Sequence, residues 1–141
     1  VGSRRSARII ALQALYQIDI CGKSVDDVLG FDWLEKEADS QTLDFAITLI
    51  EGSMKYQEII DSAIVSQLEH WDLDRLSFVD RAILRFSTYS LYFQDDVPDT
   101  VVINEAIDLA KQFGSDDSYR FVNGVLDGIR KEKIKKGSPL E

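Results

Sequence analysis

Arg4, Arg5 and Arg8 lie close together near the start of the chain, and a polar corner far downstream carries Asp117, Arg120 and Phe121. These residue types suit binding better than bond-breaking. Guanidinium groups pair with phosphate oxygens, a neighbouring aromatic ring stacks on a base, and a carboxylate accepts hydrogen bonds from base amino groups. Asp117 serves equally well as a helix cap and Phe121 as a core residue, so residue type alone leaves the two readings level. The ingredients of covalent chemistry are scarce. His70 is the single histidine and Cys21 the single cysteine. His70 has no histidine partner for a metal and reads as structural or incidental, while Cys21 lacks an activating neighbourhood and excludes an internal disulfide. The eight glycines are scattered rather than gathered into a phosphate loop. No catalytic residue, cofactor or metal site is expected.

Helical periodicity positions these groups. Over 4–20, Ala7, Ile10, Ala11, Ala14, Leu15 and Ile18 share one face at 100° per residue. Leu12, Tyr16 and Ile20 continue an adjoining stripe with Arg5 and Arg8, available to RNA, to a protein partner or to a second layer of the same domain. Gly22 ends this helix and Ser24 caps a short one, followed by a loop at 30–33 and a polar connection over 35–41. The spacing predicts one long helix from Thr42 to His70, apolar on two sides and therefore central, with Gly52 and Ser53 allowing a close crossing or a bend. A buried helix follows over 77–94, with Ser77 or Asp74 as its cap and Asp80, Arg81 and Arg85 on its polar edge. Pro98 suits a first helical turn. Val102, Ile103, Ala106, Ile107, Ala110 and Phe113 form a stripe that stops at Gly114, where a left-handed residue is expected. Ser115, Asp116 and Asp117 then offer oxygen atoms to cap the helix carrying Phe121, Val122, Val125, Leu126 and Ile129. Asn123 reads as a satisfied structural amide. Beyond Ile129 the pattern fades and a frayed basic tail is expected. No strand pattern with hairpin chemistry is visible. The expectation is an all-α, compact bundle of about seven helices, one domain over 1–136, with 137–141 a disordered tail or cloning remnant.

The formal net charge of −9 over 141 residues argues at first against nucleic acid, but its distribution matters. Residues 1–23 carry four basic groups against one acidic, residues 130–141 carry five against two, and residues 24–129 carry seven against 22. Basic ends on an acidic body can form a local anion site or simply two solvated termini. No apolar run approaches the ~20 residues needed to span a bilayer, and no signal-peptide pattern opens the chain. A cytoplasmic protein without a membrane segment is expected.

Three stretches carry a resemblance to a known family. Ile103–Ala106, Leu109–Lys111, Phe113, Gly114, Asp117, Ser118 and Phe121–Asp127 resemble the C-terminal signature of the NusB-type transcription antitermination factors. Arg4, Arg5, Ser6, Ala7 and Arg8 followed by Ala11–Tyr16 form a second match, and Asp80–Arg85 a third. The resemblance covers nearly the whole chain in the family's order. It implies a bundle of two packed helical halves, about three helices and four. It implies a factor that binds boxA RNA together with the ribosomal protein NusE and joins the RNA polymerase antitermination complex, notably during ribosomal RNA transcription. It assigns RNA contact to Arg4, Arg5, Arg8, Asp117, Arg120 and Phe121, and NusE contact to Tyr16, Asp80, Arg85 and Tyr89. Ser6 interrupts an arginine run that is longer in some relatives, which bears on affinity rather than fold. A protein-binding adaptor without RNA contact is the alternative. Monomer and homodimer are both open.

Overall fold

The computed structural model describes residues 3–69 and 72–139. His70, Leu140 and Glu141, on which sequence expectations were placed, lie outside the described residues. Among the described residues the chain forms seven α-helices and no strand: α1 (Ser3–Asp19), α2 (Val25–Leu29), α3 (Ser40–Lys55), α4 (Gln57–Val65), α5 (Phe78–Phe93), α6 (Asp99–Phe113) and α7 (Ser118–Lys136). A 3-10 turn, Leu73–Arg75, leads into α5.

Short polar side chains start several of these helices. Ser24 Oγ accepts from the Asp27 N–H at α2, and Asp39 Oδ1 accepts from the Thr42 N–H at 2.8 Å at α3. Ser77 Oγ accepts from the Asp80 N–H at α5. Each satisfies a donor that the first turn leaves free. Helix α3 thus begins inside the stretch expected to be a solvated connection. Gly22, at φ 72°, supplies the left-handed residue after α1.

The hub of the bundle is α5, which packs against α1, α3, α4, α6 and α7. Helices α1, α2 and α3 form one half, and α4, α6 and α7 gather with α5 in the other. Phe86, Ile83 and Leu84 of α5 are fully enclosed with Leu49, Ile50, Ile60, Ile64, Leu109, Leu126 and Ile129. Burying each such side chain contributes ~1.5–3 kcal/mol. The expected face of α1 is buried as read, except that Ile18 stays half-buried and Leu12, assigned to the leftover stripe, is enclosed at 5% exposure.

The long helix predicted over 42–70 is two helices. Tyr56 leaves the helical region, at φ −106° and ψ 23°, and its ring stacks on Phe93 with centroids 4.3 Å apart. The break turns α4 onto α5 and α7, so α5, rather than the 42–70 segment, occupies the centre. The close crossing expected at Gly52 is present: a Cβ there would run into the Tyr89 ring.

Three further expectations are corrected. Gly114 is extended, at φ −93°, not left-handed; it is small because the Ser118 side chain packs against it. Asp117 occupies the N-cap position of α7 without a side-chain cap bond; Ser118 Oγ instead accepts the Ser115 N–H at 3.0 Å. The basic tail is helical to Lys136 because Lys133 Nζ donates to the Leu91 carbonyl and to Asp99, while Lys131–Asp127 and Lys136–Glu132 pair one turn apart. The helix stops at Gly137, at φ 78°.

Candidate nucleic-acid and partner interface

The first turn of α1 divides its arginines by helix geometry. Arg4 and Arg8 are one turn apart and share a face. Both guanidiniums lie over the Phe45 ring of α3, at 4.8 and 5.4 Å from its centroid. Arg5 points instead to α6. Its Nε donates to Glu105 at 2.9 Å, and its Nη2 donates to Glu105 and, at 2.8 Å, to Asp108. These hydrogen bonds, that of Asp108 foremost, hold the Arg5 guanidinium above its usual pKa. Arg4 reaches Asp96 at 3.5 Å. The three predicted arginines therefore come together, each beside a carboxylate that the sequence did not assign to it.

Arg8 differs from the other two. It is 4% exposed, its Nη1 lies 3.8 Å from Glu105, and its Nη2 is enclosed without a partner. Burial pushes its pKa down, since a charge removed from water is disfavoured. A freely reaching phosphate ligand is not what this environment provides; Arg8 stiffens the base of the cluster.

The second predicted group sits at the α6–α7 corner. Asp117 and Arg120 are exposed and Phe121 is half-buried against the core. Arg120 Nε donates to the Tyr119 hydroxyl at 2.9 Å, and the Lys111 ammonium lies 5.0 Å from the centre of the same ring. Helix α1 packs mainly on α2, α3 and α5, and α7 on α4, α5 and α6, so the two groups sit on helices that do not pack directly on one another. Helix α6 links the two groups, touching Arg5 at Glu105 and Asp108 and ending beside the corner. Asn123, read as a satisfied structural amide, is exposed on α7.

The residues expected to meet a protein partner fall into two places. Tyr16 lies in a surface groove of about 480 Å³ with Ile9, Leu12, Trp33, Phe78 and Phe113. Its ring is 4.4 Å from that of Phe78, and Phe78 and Phe113 are each about two-fifths exposed, at 41% and 38%. Asp80 is half-buried in the first turn of α5, its Oδ1 enclosed without a partner. Arg85 and Tyr89 are engaged internally. Arg85 pairs with both oxygens of Asp61 on α4, at 2.9 and 3.0 Å, and lies 3.6 Å from Asp19. Tyr89 covers Gly52 and packs beside Phe93, where burial pushes its phenol pKa up. Arg81, expected on a polar edge, is buried, bonding Asp19 at 2.7 Å and the Leu73 and Leu76 carbonyls.

Sequence reasoning missed Phe78, Phe113 and Trp33 as groove residues and Glu105 and Asp108 as arginine partners. The i,i+3 spacing of the two carboxylates, opposite the apolar stripe of α6, was a usable signal. The missing piece was that the first turns of α1 come within side-chain reach of that face. Among the described residues no helix is long and apolar enough to cross a membrane.

The described residues form an all-helical bundle with an arginine cluster at the start of α1 and an aromatic groove lined by α1, α5 and α6, surfaces whose chemistry suits binding. The NusB family model matches residues 5–131, and the chain belongs to that family of transcription antitermination factors. The transcription antitermination protein NusB of Treponema pallidum (strain Nichols) is 49% identical over 130 residues, covering 91% of this chain and 92% of the relative. That of Leptospira biflexa (strain Patoc 1 / Ames) is 39% identical over 139 residues, covering 99% of each. Among solved structures, T. maritima NusB superposes with a TM-score of 0.84 at 39% identity, covering 92% of this chain and 91% of that one. A chain from the crystal structure of antitermination factors NusB and NusE in complex with dsRNA matches with a TM-score of 0.77 at 28% identity, covering 92% of this chain and 97% of that one.

Proposed function

We propose that this chain is a transcription antitermination factor that acts by binding rather than catalysis. In this reading it binds boxA RNA together with the ribosomal protein NusE and joins the RNA polymerase antitermination complex in the cytoplasm, notably during ribosomal RNA transcription. The observation that carries the reading is the convergence of Arg4, Arg5 and Arg8 at one end of α1, with Arg4 and Arg8 over an aromatic ring. Arg4 and Arg5 would contact phosphate, Arg8 would hold the cluster's shape, and Asp117, Arg120 and Phe121 would continue the RNA face. Tyr16 and Asp80 would face NusE, with Arg85 and Tyr89 supporting that surface from within. A basic ribosomal protein would also offset the acidic body, which by itself repels RNA.

One observation favours the adaptor reading: Arg4 and Arg5 are already paired with Asp96, Glu105 and Asp108, and Arg8 is buried. The deciding experiment titrates labelled boxA-type RNA with the chain, with and without NusE, at two salt concentrations, beside an Arg4→Ala/Arg5→Ala variant. The expected result is binding that NusE improves and salt weakens. The variant's salt slope should be lower by about one for each phosphate that no longer meets an arginine. NusE binding without any RNA contribution from this chain would leave the adaptor.

A further inference from the structure

The two carboxylates that hold Arg5 are not equivalent. Glu105 takes both the Nε and the Nη2 of Arg5, lies beside the buried Arg8, and has a side chain only 23% exposed. Asp108 takes a single bond, to Nη2, and its side chain is 50% exposed. The Arg5 side chain is 38% exposed and that of Asp108 50%, so this pair is in contact with solvent. A guanidinium has a fork geometry that accepts a carboxylate or a phosphate in the same bidentate fashion. Asp108 therefore occupies one position from which a phosphate oxygen could reach Nη2, while Glu105 holds the Nε side of the same fork.

We infer that Glu105 and Asp108 are positioning residues of the RNA face with opposite roles: Glu105 anchors the Arg5 fork over the buried Arg8, and Asp108 is a resident anion that an RNA phosphate displaces. The inference rests on the RNA-binding reading above and adds how that site is set. Free protein keeps Arg5 aimed and neutralised, so nonspecific anions meet a satisfied pair. A ligand whose neighbouring groups also engage Arg4 and the α6–α7 corner compensates for the broken Asp108 bond. Without Glu105, Arg5 loses its aim and Arg8 loses its nearest counter-charge.

The signs separate this arrangement from simple charge repulsion, under which removing either carboxylate strengthens RNA binding. BoxA-type RNA would be titrated in the presence of NusE with the wild-type chain and with D108N, E105Q, E105D, R5A and D108N/R5A. The Arg5 Nε–H signal would be followed by NMR. D108N is expected to tighten binding by about two- to fivefold, the worth of an exposed ion pair, and this gain disappears in the R5A background. E105Q is expected to weaken it by about tenfold, the worth of a hydrogen bond to a charged group. E105D, which keeps the charge but shortens the reach, weakens it in the same direction. The Nε–H signal keeps its wild-type position in D108N and moves in E105Q, where a charged acceptor is replaced by a neutral one, and thermal melts establish that each variant is folded. Tightening by both D108N and E105Q, or a D108N gain that survives R5A, would overturn the inference while leaving RNA binding intact. Failure of the folded wild-type chain to bind RNA would overturn the functional reading and this inference together.

Discussion

Gly52 and Tyr89 make one of the closest approaches in the bundle. A Cβ at Gly52 meets the Tyr89 ring, and that ring is backed by Phe93 and Tyr56, so it has little room to swing away. Gly52→Ala should therefore destabilise the fold by roughly 1–3 kcal/mol, the usual cost of overpacking, despite the better helix propensity of alanine. Urea titration of G52A, Y89L and the double variant checks this. The alanine should cost less in the leucine background, because the two positions share one space. Arg81 makes the complementary point. Its guanidinium ties Asp19 at the end of α1 to the Leu73 and Leu76 carbonyls before α5, and a charge at a polar-looking helical position is here a buried strut.

Helix ends are where local sequence and packing compete. At α3 the local signal prevails: the Thr42 N–H, the largest influence, holds the Asp39 carboxylate below its usual pKa. A depressed carboxylate stabilises the fold above its unfolded value and loses that contribution as pH falls through the folded one. The melting-temperature difference between wild type and Asp39→Ala should accordingly be constant near neutrality and shrink below about pH 4; calorimetry across that range tests it. At α7 packing prevails. The apolar pattern fades after Ile129, yet the helix continues because Lys133 docks on Leu91 and Asp99. At Tyr56 an aromatic stack coincides with a break in the helical run, which periodicity alone reads as one helix.

The bundle as a body is acidic, with seven basic against 22 acidic groups over 24–129, and Arg4, Arg5 and Arg8 precede it at the start of α1. Salt should act on it in two opposing ways. Screening relieves repulsion among the carboxylates, so the melting temperature should rise between low and physiological ionic strength. The same screening should weaken RNA binding. Melting curves and RNA titrations over one salt series check both, and a melting temperature that fell with salt would point to the ion pairs outweighing the repulsion.

Helical periodicity, turn chemistry and charge distribution are properties of neighbours along the chain, and they were enough to reach an all-helical bundle, most of the buried face of α1, the Gly22–Ser24 and Ser77 boundaries and the arginine cluster. The family resemblance rested on the same linear strings. What neighbours along the chain do not specify is which helix faces meet. Arg8 looks like an exposed arginine until Phe45 and Glu105 enclose it, Glu105 and Asp108 are ordinary surface carboxylates until Arg5 reaches them, and Tyr16, Phe78 and Phe113 become one groove only when three helices converge. Tertiary packing also inverted the hierarchy of helices, making α5 the hub because it packs against two helices of one half and three of the other. Burial and ion pairing depend on distances between residues up to about a hundred positions apart, such as Arg5 and Asp108, and those distances exist only once the bundle has packed.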